Sequence, residues 1–214
     1  MTHSCVLCQS KTQSFQHPKF NILFHECPHC GLITKDESSY INETDERDVY
    51  LQHENTLDNT GYVNYLTNFI EQAVIPFIQK GDALDYGSGP NPVLAYLMKN
   101  HFQFDVDIYD YFFSPLKVFE NKTYELITST EVVEHLRNPR EVFELFSKHL
   151  KPKGILSIMT LFYPIDKEIF YQWHYIRDPS HVSFYSIKTM EYIASQFGFK
   201  LLFHNNYRVA VFQK

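Results

Sequence analysis

The sequence predicts an α/β fold with a mostly parallel sheet, an antiparallel last strand and a small cysteine-bound segment at the N-terminus. Strand-like runs alternate with helix-like runs along most of the chain, which is typical of parallel sheets. A turn containing Gly87 and Gly89 follows the first of these strands. All four cysteines lie within the first 30 residues.

Each element follows from apolar periodicity and from the turn residues that bound it. In the helix predicted over 62–78, Phe69, Ala73 and Phe77 recur at helical spacing. Asn205 and Asn206 predict a hairpin turn between the last two strands. The predicted strands are 83–86, 105–109, 124–129, 155–159, 200–203 and 208–212, and the further predicted helices are 92–100, 131–136, 140–150 and 187–197.

Length and composition restrict the class of protein. A chain of 214 residues that is 44% hydrophobic buries a substantial core and is not a disordered protein. The formal net charge of −6 argues against a binder of duplex nucleic acid. No apolar run approaches the roughly 18 residues of a membrane span, and no signal peptide is recognised. We therefore expect a soluble cytoplasmic protein without a membrane partner.

The cysteines form two CxxC pairs, and 18 residues separate Cys8 from Cys27. Two such pairs place four thiolates, from Cys5, Cys8, Cys27 and Cys30, around one structural zinc ion. Two disulfides or free thiols are the alternative, although a disulfide scaffold rarely confines every cysteine to one end of a chain. The pattern predicts a zinc ribbon over residues 1–35.

The glycine turn predicts a ligand site. Gly87 and Gly89 let the backbone approach a nucleotide-like ligand, although two glycines alone are a weak signal. Asp110 follows Gly89 by 21 positions, at the end of the second strand. That spacing suits a carboxylate that accepts hydrogen bonds from ribose hydroxyls. The glycine turn and Asp110 together predict a cofactor that contains adenosine.

From Tyr62 to Lys214 the chain resembles the class I S-adenosylmethionine-dependent methyltransferases. The motifs that carry the resemblance are 84–89 (LDYGSG), Asp110, 130–136 (TEVVEHL), 150–155 (LKPKGI) and the closing hairpin. The family implies a Rossmann-like sheet, with the methionine end of the cofactor at Asp85, Gly87 and Gly89 and the ribose at Asp110. The full set of expected cofactor-binding residues is Asp85, Gly87, Ser88, Gly89, Asp110, Tyr111, Thr130 and Tyr62.

Two departures from the family pattern change these expectations. Asn91 replaces the third glycine, between two prolines. Only 15 residues separate Asp110 from Leu126, which is too few for the usual helix, strand and helix. We expect one strand to be truncated or missing. The aromatic residues of 111–113 then either pack on the adenine or fill the space that the strand leaves.

The cysteine spacing, the polar stretch after Lys35 and the resemblance together predict three segments. They are the zinc ribbon over 1–35, a linker with a helical segment that caps the cofactor over 36–80, and the catalytic domain over 81–214. Tyr50, His53, Asn55, Gly61 and Tyr62 form a cluster in the middle segment that either closes over the cofactor or packs as a helix and a turn.

Glu131, Glu134 and His135 lie at i, i+3 and i+4, so a helix would present all three on one face. With His181 they would bind a divalent cation such as Mg²⁺. This set is similar to that of the small-RNA 2′-O-methyltransferases and, more loosely, of the ubiquinone-pathway O-methyltransferases. A metal would lower the pKa of a hydroxyl acceptor.

The alternatives for this set need no metal. Thr128 and Glu131 also fit a capping box, His135 fits a buried core position, and Glu134 fits a solvated helix position. His135 or His181 would still serve as a general base, with Glu134 as the third catalytic candidate. Trp173 and its aromatic neighbours either cover the substrate or pack in the core.

The leading hypothesis is O-methylation of a small molecule with S-adenosylmethionine as donor. Methylation of RNA, with the zinc ribbon as a docking module, is the second hypothesis, and a scaffold that binds the cofactor without turnover is the third. A nicotinamide-dependent dehydrogenase fits poorly because Asn91 replaces the third small residue of its glycine loop. The oligomeric state is left open.

Overall fold

The N-terminal part of the chain forms a small antiparallel sheet that a distant strand completes. A computed structural model describes residues 3–52 and 54–214, so His53 lies outside the described residues. The strands of this sheet are β1 (Gln13–Gln16), β2 (Leu23–Glu26), β3 (Ile33–Lys35) and β8 (Ser183–Phe184). Strand β2 pairs with both β1 and β3. The fourth strand, β8, pairs with β3 although 147 residues lie between them.

The central sheet has six strands, β4 (Lys80–Tyr86), β5 (Gln103–Tyr109), β6 (Tyr124–Thr130), β7 (Leu150–Met159), β9 (Lys200–His204) and β10 (Val209–Gln213). Their order in the sheet is β5-β4-β6-β7-β10-β9. Strands β4 to β7 are parallel, and β10 runs antiparallel to β7 and to β9. This arrangement confirms the predicted α/β sheet with an antiparallel last strand.

Six α-helices connect and cover the strands of the described chain. The helices are α1 (Glu43–Leu51), α2 (Thr60–Ala73), α3 (Val93–His101), α4 (Pro139–His149), α5 (Lys167–Gln172) and α6 (Ile187–Phe197). Helices α2, α3, α4 and α6 pack their apolar faces on the central sheet, as in α2, which buries Leu66, Phe69 and Ile70. Helix α1 has no buried residue, and α5 packs on the small sheet instead.

The expected loss of a strand between β5 and β6 is confirmed. Across residues 110–123, all of which the structure describes, the backbone forms turns and one isolated bridge from Asp110 to Ser114. The carboxylate of Asp110 stabilises the first turn, because its Oδ1 accepts from the backbone N–H of Phe112 at 2.9 Å and of Phe113 at 3.0 Å. Strand β5 is therefore an edge of the sheet.

The helix predicted over 131–136 is wrong. Glu131 has a φ of 53°, in the left-handed region, so the chain turns sharply where β6 ends. The Glu131 N–H extends the β6–β7 pairing by donating to Met159 O at 2.8 Å. Only a 3-10 turn over Val133–His135 follows. The argument from helical spacing therefore fails for these residues.

An aromatic core lies between the small sheet and helix α5. Phe24 of β2 and Phe184 of β8 are fully buried and lie with their ring centroids 6.0 Å apart. Phe170 of α5 packs edge-on against both rings. Within the described chain, the helices are all too short or too polar to cross a membrane.

Candidate active site

A cavity of about 670 Å³ opens at the carboxyl ends of strands β4, β5 and β6. Parallel sheets bind ligands at this edge, and the volume is typical of cofactor sites. Every residue expected to bind the cofactor lines it, namely Asp85, Gly87, Ser88, Gly89, Asp110, Tyr111, Thr130 and Tyr62. The sequence thus identified residues of one cavity, and their contacts with a cofactor remain a prediction.

Both glycines of the turn have left-handed backbone, with φ of 86° at Gly87 and 67° at Gly89. A Cβ at Gly87 would lie 2.2 Å from Cγ2 of Val132, so this glycine is required by packing. A Cβ at Gly89 would meet no atom within 4 Å and would enter the cavity. The Gly89 N–H donates to Oδ2 of Asp110 at 2.9 Å, which joins the turn to the end of β5.

Asp85 is the buried carboxylate of this cavity. Burial raises its pKa to about 7, although Thr128 Oγ1 donates to its Oδ1 at 3.2 Å and favours the ionised form. Thr128 lies within β6, so it does not cap a helix with Glu131, and that alternative is wrong. A cationic group in the cavity would favour the carboxylate form of Asp85.

Aromatic side chains and helix α1 form the outer wall. The aromatic residues of 111–113 and Tyr50 all line the cavity, as does Asn55, whereas Gly61 does not. The Tyr111 hydroxyl donates to Oε1 of Glu43 across the opening at 2.9 Å. Trp173 lies elsewhere, packed against Tyr175 and Phe170 in the aromatic core beside the ribbon. It does not cover the cavity.

Glu134, His135 and His181 come together on one side of this cavity, with one potential ligand atom of each within 4.8 Å of the others. The structure brings three of the four predicted metal ligands together. His135 Nδ1 donates to Ser180 O at 3.2 Å, and His181 Nδ1 donates to Tyr175 O at 2.9 Å. Because carbonyls only accept, these bonds place a proton on each Nδ1, and Nε2 of His181 lies 3.7 Å from Oδ2 of Asp178.

The carboxyl group of Glu134 is fully buried, and burial followed by repulsion from Glu131 raises its pKa well above the usual range. Oε1 accepts from the Tyr175 hydroxyl. Oε2 has no hydrogen-bond partner among the described residues. A buried carboxylate oxygen without a partner is costly, so this geometry favours either a proton or a cation at Oε2.

Glu131 lies outside the three-residue cluster and belongs to a hydrogen-bonded chain. It accepts from the Tyr65 hydroxyl at 2.7 Å, and its Oε2 lies 3.1 Å from the Tyr175 hydroxyl, whose single proton goes to Glu134. Tyr65 in turn accepts from Nη1 of Arg208 at 2.5 Å. Sequence reasoning missed Tyr65, Tyr175 and Arg208 as site residues. Tyr65 lies within the apolar periodicity of the helix over 62–78, Tyr175 belongs to the aromatic group around Trp173 for which both a cover and core packing were open, and Arg208 begins a predicted strand.

The four cysteines form a second cluster, within the ribbon. The sulfurs of Cys5 and Cys30 are 3.5 Å apart and those of Cys8 and Cys27 are 3.3 Å apart. Four thiolates around zinc would lie about 3.8 Å apart, given Zn–S bonds of about 2.3 Å. A hydrogen bond from Cys30 lowers the pKa of the Cys5 thiol to about 5, whereas burial raises that of Cys27 to about 11. Four thiolates therefore need a cation.

Comparison with known proteins identifies the fold and the family. A family model for a methyltransferase domain matches residues 61–204. The chain is similar to an O-methyltransferase family protein from Burkholderia thailandensis, with a TM-score of 0.56 and 14% identity over 83% of this chain and 62% of that chain. It is also similar to a SAM-dependent methyltransferase from Archaeoglobus fulgidus, with a TM-score of 0.51 and 14% identity over 71% of this chain and 94% of that chain. No curated protein sequence matches it.

Substitution of Asp85 by Asn tests its buried state. Because the pKa of about 7 in the folded chain exceeds the unfolded value, Asp85 favours folding at acid pH and this contribution is lost as the pH rises through 7. Asn does not ionise. The free energy of unfolding of Asp85→Asn, relative to that of the wild type, should therefore rise by about 2–3 kcal/mol between about pH 5 and about pH 8. Urea denaturation of both proteins measures this difference.

Asp82 provides the matched control, because it lies on the same strand with its side chain 64% exposed. Asp82→Asn shifts the pH dependence of the free energy of unfolding by less than about 0.5 kcal/mol. Equal shifts for the two variants would contradict the assignment of a raised pKa to Asp85.

Proposed function

Since the chain belongs to the methyltransferase-domain family and has the fold of S-adenosylmethionine-dependent methyltransferases, we propose that it methylates a hydroxyl group of a small molecule with the help of a divalent cation. One observation carries the proposal. The glycine turn at Gly89 and the side chains of His135 and His181 line the same cavity, so a donor and an acceptor would meet there.

When bound, S-adenosylmethionine supplies an electrophilic methyl group on a positively charged sulfur. Asp85 is placed to neutralise a cationic group at the methionine end, and Asp110 to accept from ribose hydroxyls. The open space beside Gly89 fits close approach of a ligand to the backbone. The residues of the cavity therefore fit this cofactor.

A divalent cation would lower the pKa of the acceptor hydroxyl. Oε2 of Glu134 and the Nε2 atoms of His135 and His181 would hold it, and the carbonyl bonds of the two Nδ1 atoms are typical of metal-ligating histidines. Glu131, whose Oε2 lies 3.1 Å from the Tyr175 hydroxyl, would orient Glu134 through Tyr175 rather than bind the cation itself.

The charge of the cavity favours a small acceptor over RNA. Among the described lining residues, six acidic side chains outnumber the single guanidinium of Arg137, which is already bound to Ile41 O at 2.7 Å. A phosphate backbone would be repelled by this surface. An uncharged or cationic hydroxyl compound is compatible with it, and the rings of Tyr50 and Phe112 offer flat apolar contacts. The six acidic residues are Glu43, Glu46, Asp85, Asp110, Glu131 and Asp178.

We further propose a structural zinc ion in the ribbon. Cys5, Cys27 and Cys30 are buried, and they pack into the main hydrophobic core together with Leu7 and Leu32. A segment with so little core of its own gains its folding energy from the metal.

Substitution of Gly89 tests the cofactor site. Gly89→Ala places a methyl group in the open space and should weaken S-adenosylmethionine binding roughly tenfold or more, measured by isothermal titration calorimetry. Gly198→Ala is the matched control, because Gly198 has a similar φ of 75°, an equally open Cβ position and a place outside the cavity. Both variants lose about 1–2 kcal/mol of stability through the left-handed backbone. Equal cofactor affinities would contradict the proposed site.

The metal is tested with His181→Gln and its control His149→Gln. Both histidines are buried and donate Nδ1–H to a carbonyl, but only His181 lies in the cluster. Mn²⁺ affinity, measured by electron paramagnetic resonance, should fall roughly 100-fold or more for His181→Gln, because a ligand is lost, and stay unchanged for His149→Gln. Cofactor affinity should be unchanged in both. Absence of Mn²⁺ binding to the wild type would refute metal assistance.

The acceptor is tested by transfer of labelled methyl from S-adenosylmethionine into cell extract. We expect the label in compounds below about 1 kDa, the size of ligand that the cavity admits. Label that remains after protease treatment but disappears with ribonuclease would show RNA methylation instead. No transfer despite cofactor binding would favour a scaffold.

Elemental analysis tests the zinc site. Cys27→Ser should lose the bound zinc ion and destabilise the fold, since it removes one of four ligands. His29→Ala is the control, because the His29 ring packs on Tyr192 and is not a member of the cysteine cluster. It should keep a full complement of zinc. Zinc content that is the same in both variants would contradict the four-cysteine site.

A further inference from the structure

The segment that carries His181 lies between the ribbon and the turn that carries Glu134. On the ribbon side, Thr34 of β3 pairs with Ser183 of β8, and Lys35 N–H donates to Val182 O at 2.9 Å. On the other side, Val182 N–H donates to Glu134 O at 2.8 Å. A single residue, Val182, therefore joins the ribbon sheet to the metal-binding cluster through its backbone.

Lys35 also reaches this segment through its side chain. Its Nζ donates to Asp178 O at 2.6 Å, and the same carbonyl accepts from His181 N–H at 3.3 Å. The side chain is only 3% exposed, with Nζ 5.9 Å from the centroid of the Phe184 ring. Burial lowers the pKa of Lys35 to about 8, against the opposing effect of the Asp178 carboxylate. A buried amine is costly, so its place at this carbonyl calls for an explanation.

We infer that Lys35 is a positioning residue, which fixes the turn from Asp178 to His181 and thereby orients the His181 ring toward His135. The inference deepens the proposed function, on which it rests, by giving the ribbon a role in the reaction. The ribbon would then act as part of the active site rather than as a separate docking module.

The geometry explains why one amine has this effect. The His181 ring lies 4.8 Å from the His135 ring, and its orientation depends on the bond from Nδ1 to Tyr175 O. The Asp178 side chain also holds the turn: its Oδ1 accepts from Ser180 N–H at 2.9 Å and from the Ser180 hydroxyl at 2.5 Å, and its Oδ2 lies 3.7 Å from Nε2 of His181. These contacts involve the carboxylate of Asp178, whereas its backbone carbonyl accepts from Lys35 and, at a longer distance, from His181.

The test compares Lys35→Met, Lys35→Arg and Thr34→Val in the full-length zinc-loaded protein. Met keeps the apolar stem but removes the donor, Arg keeps a donor, and Thr34 is a buried neighbour on the same strand. For Lys35→Met, Mn²⁺ affinity and kcat should fall roughly 10- to 100-fold, as they do when a residue that orients a ligand is lost. The KM for S-adenosylmethionine and the zinc content should stay unchanged. Lys35→Arg should recover part of the loss, and Thr34→Val should match wild type.

A second readout does not depend on metal or on methyl transfer. The Nδ1–H proton of His181, bonded to Tyr175 O, should give a protected proton NMR signal in the wild type that broadens or disappears in Lys35→Met. If the wild type binds no Mn²⁺, the proposed metal is refuted, and loss of the NMR signal alone still supports the positioning role. A signal that persists in Lys35→Met, or equal effects of Lys35→Met and Thr34→Val, would overturn the inference.

Discussion

The backbone of Val182 is the point on which the rest of the structure depends. Its carbonyl accepts a hydrogen bond from Lys35 N–H of the ribbon, and its N–H donates a hydrogen bond to Glu134 O in the turn after β6. A β-strand satisfies its polar groups on both sides only when both neighbours are in place, so the ribbon and the turn stabilise each other. The ribbon therefore cannot be displaced without freeing hydrogen-bonding groups next to the cavity.

The missing strand changes the opposite side of the cavity. Without a further strand beside β5, the chain after Asp110 folds back in tight turns that present the rings of 111–113 to the ligand. Helix α1 covers this side through polar contacts, such as Tyr111 with Glu43 and Arg47 over the Phe113 ring. A wall with so little buried apolar surface opens at low cost in free energy.

The sequence predicts the parts of the fold that local patterns control. Alternating runs predicted the central sheet, the short interval after Asp110 predicted the missing strand, and the glycine turn led to the cavity. The turn at Glu131 was missed, because its left-handed backbone carries no signal in a polar residue. Contacts such as Lys35 with Asp178 join residues 143 positions apart, and packing rather than local sequence determines them.

The charges in the hydrogen-bonded chain from Arg208 to the buried Glu134 do not balance. One guanidinium faces two carboxylates, those of Glu131 and Glu134, through the hydroxyls of Tyr65 and Tyr175. A buried uncompensated carboxylate costs several kcal/mol, so a proton or a cation must neutralise Glu134. A proton would remove one of the three potential ligands. A divalent cation would compensate the charge without a proton, so cation binding and proton release at Glu134 would be linked.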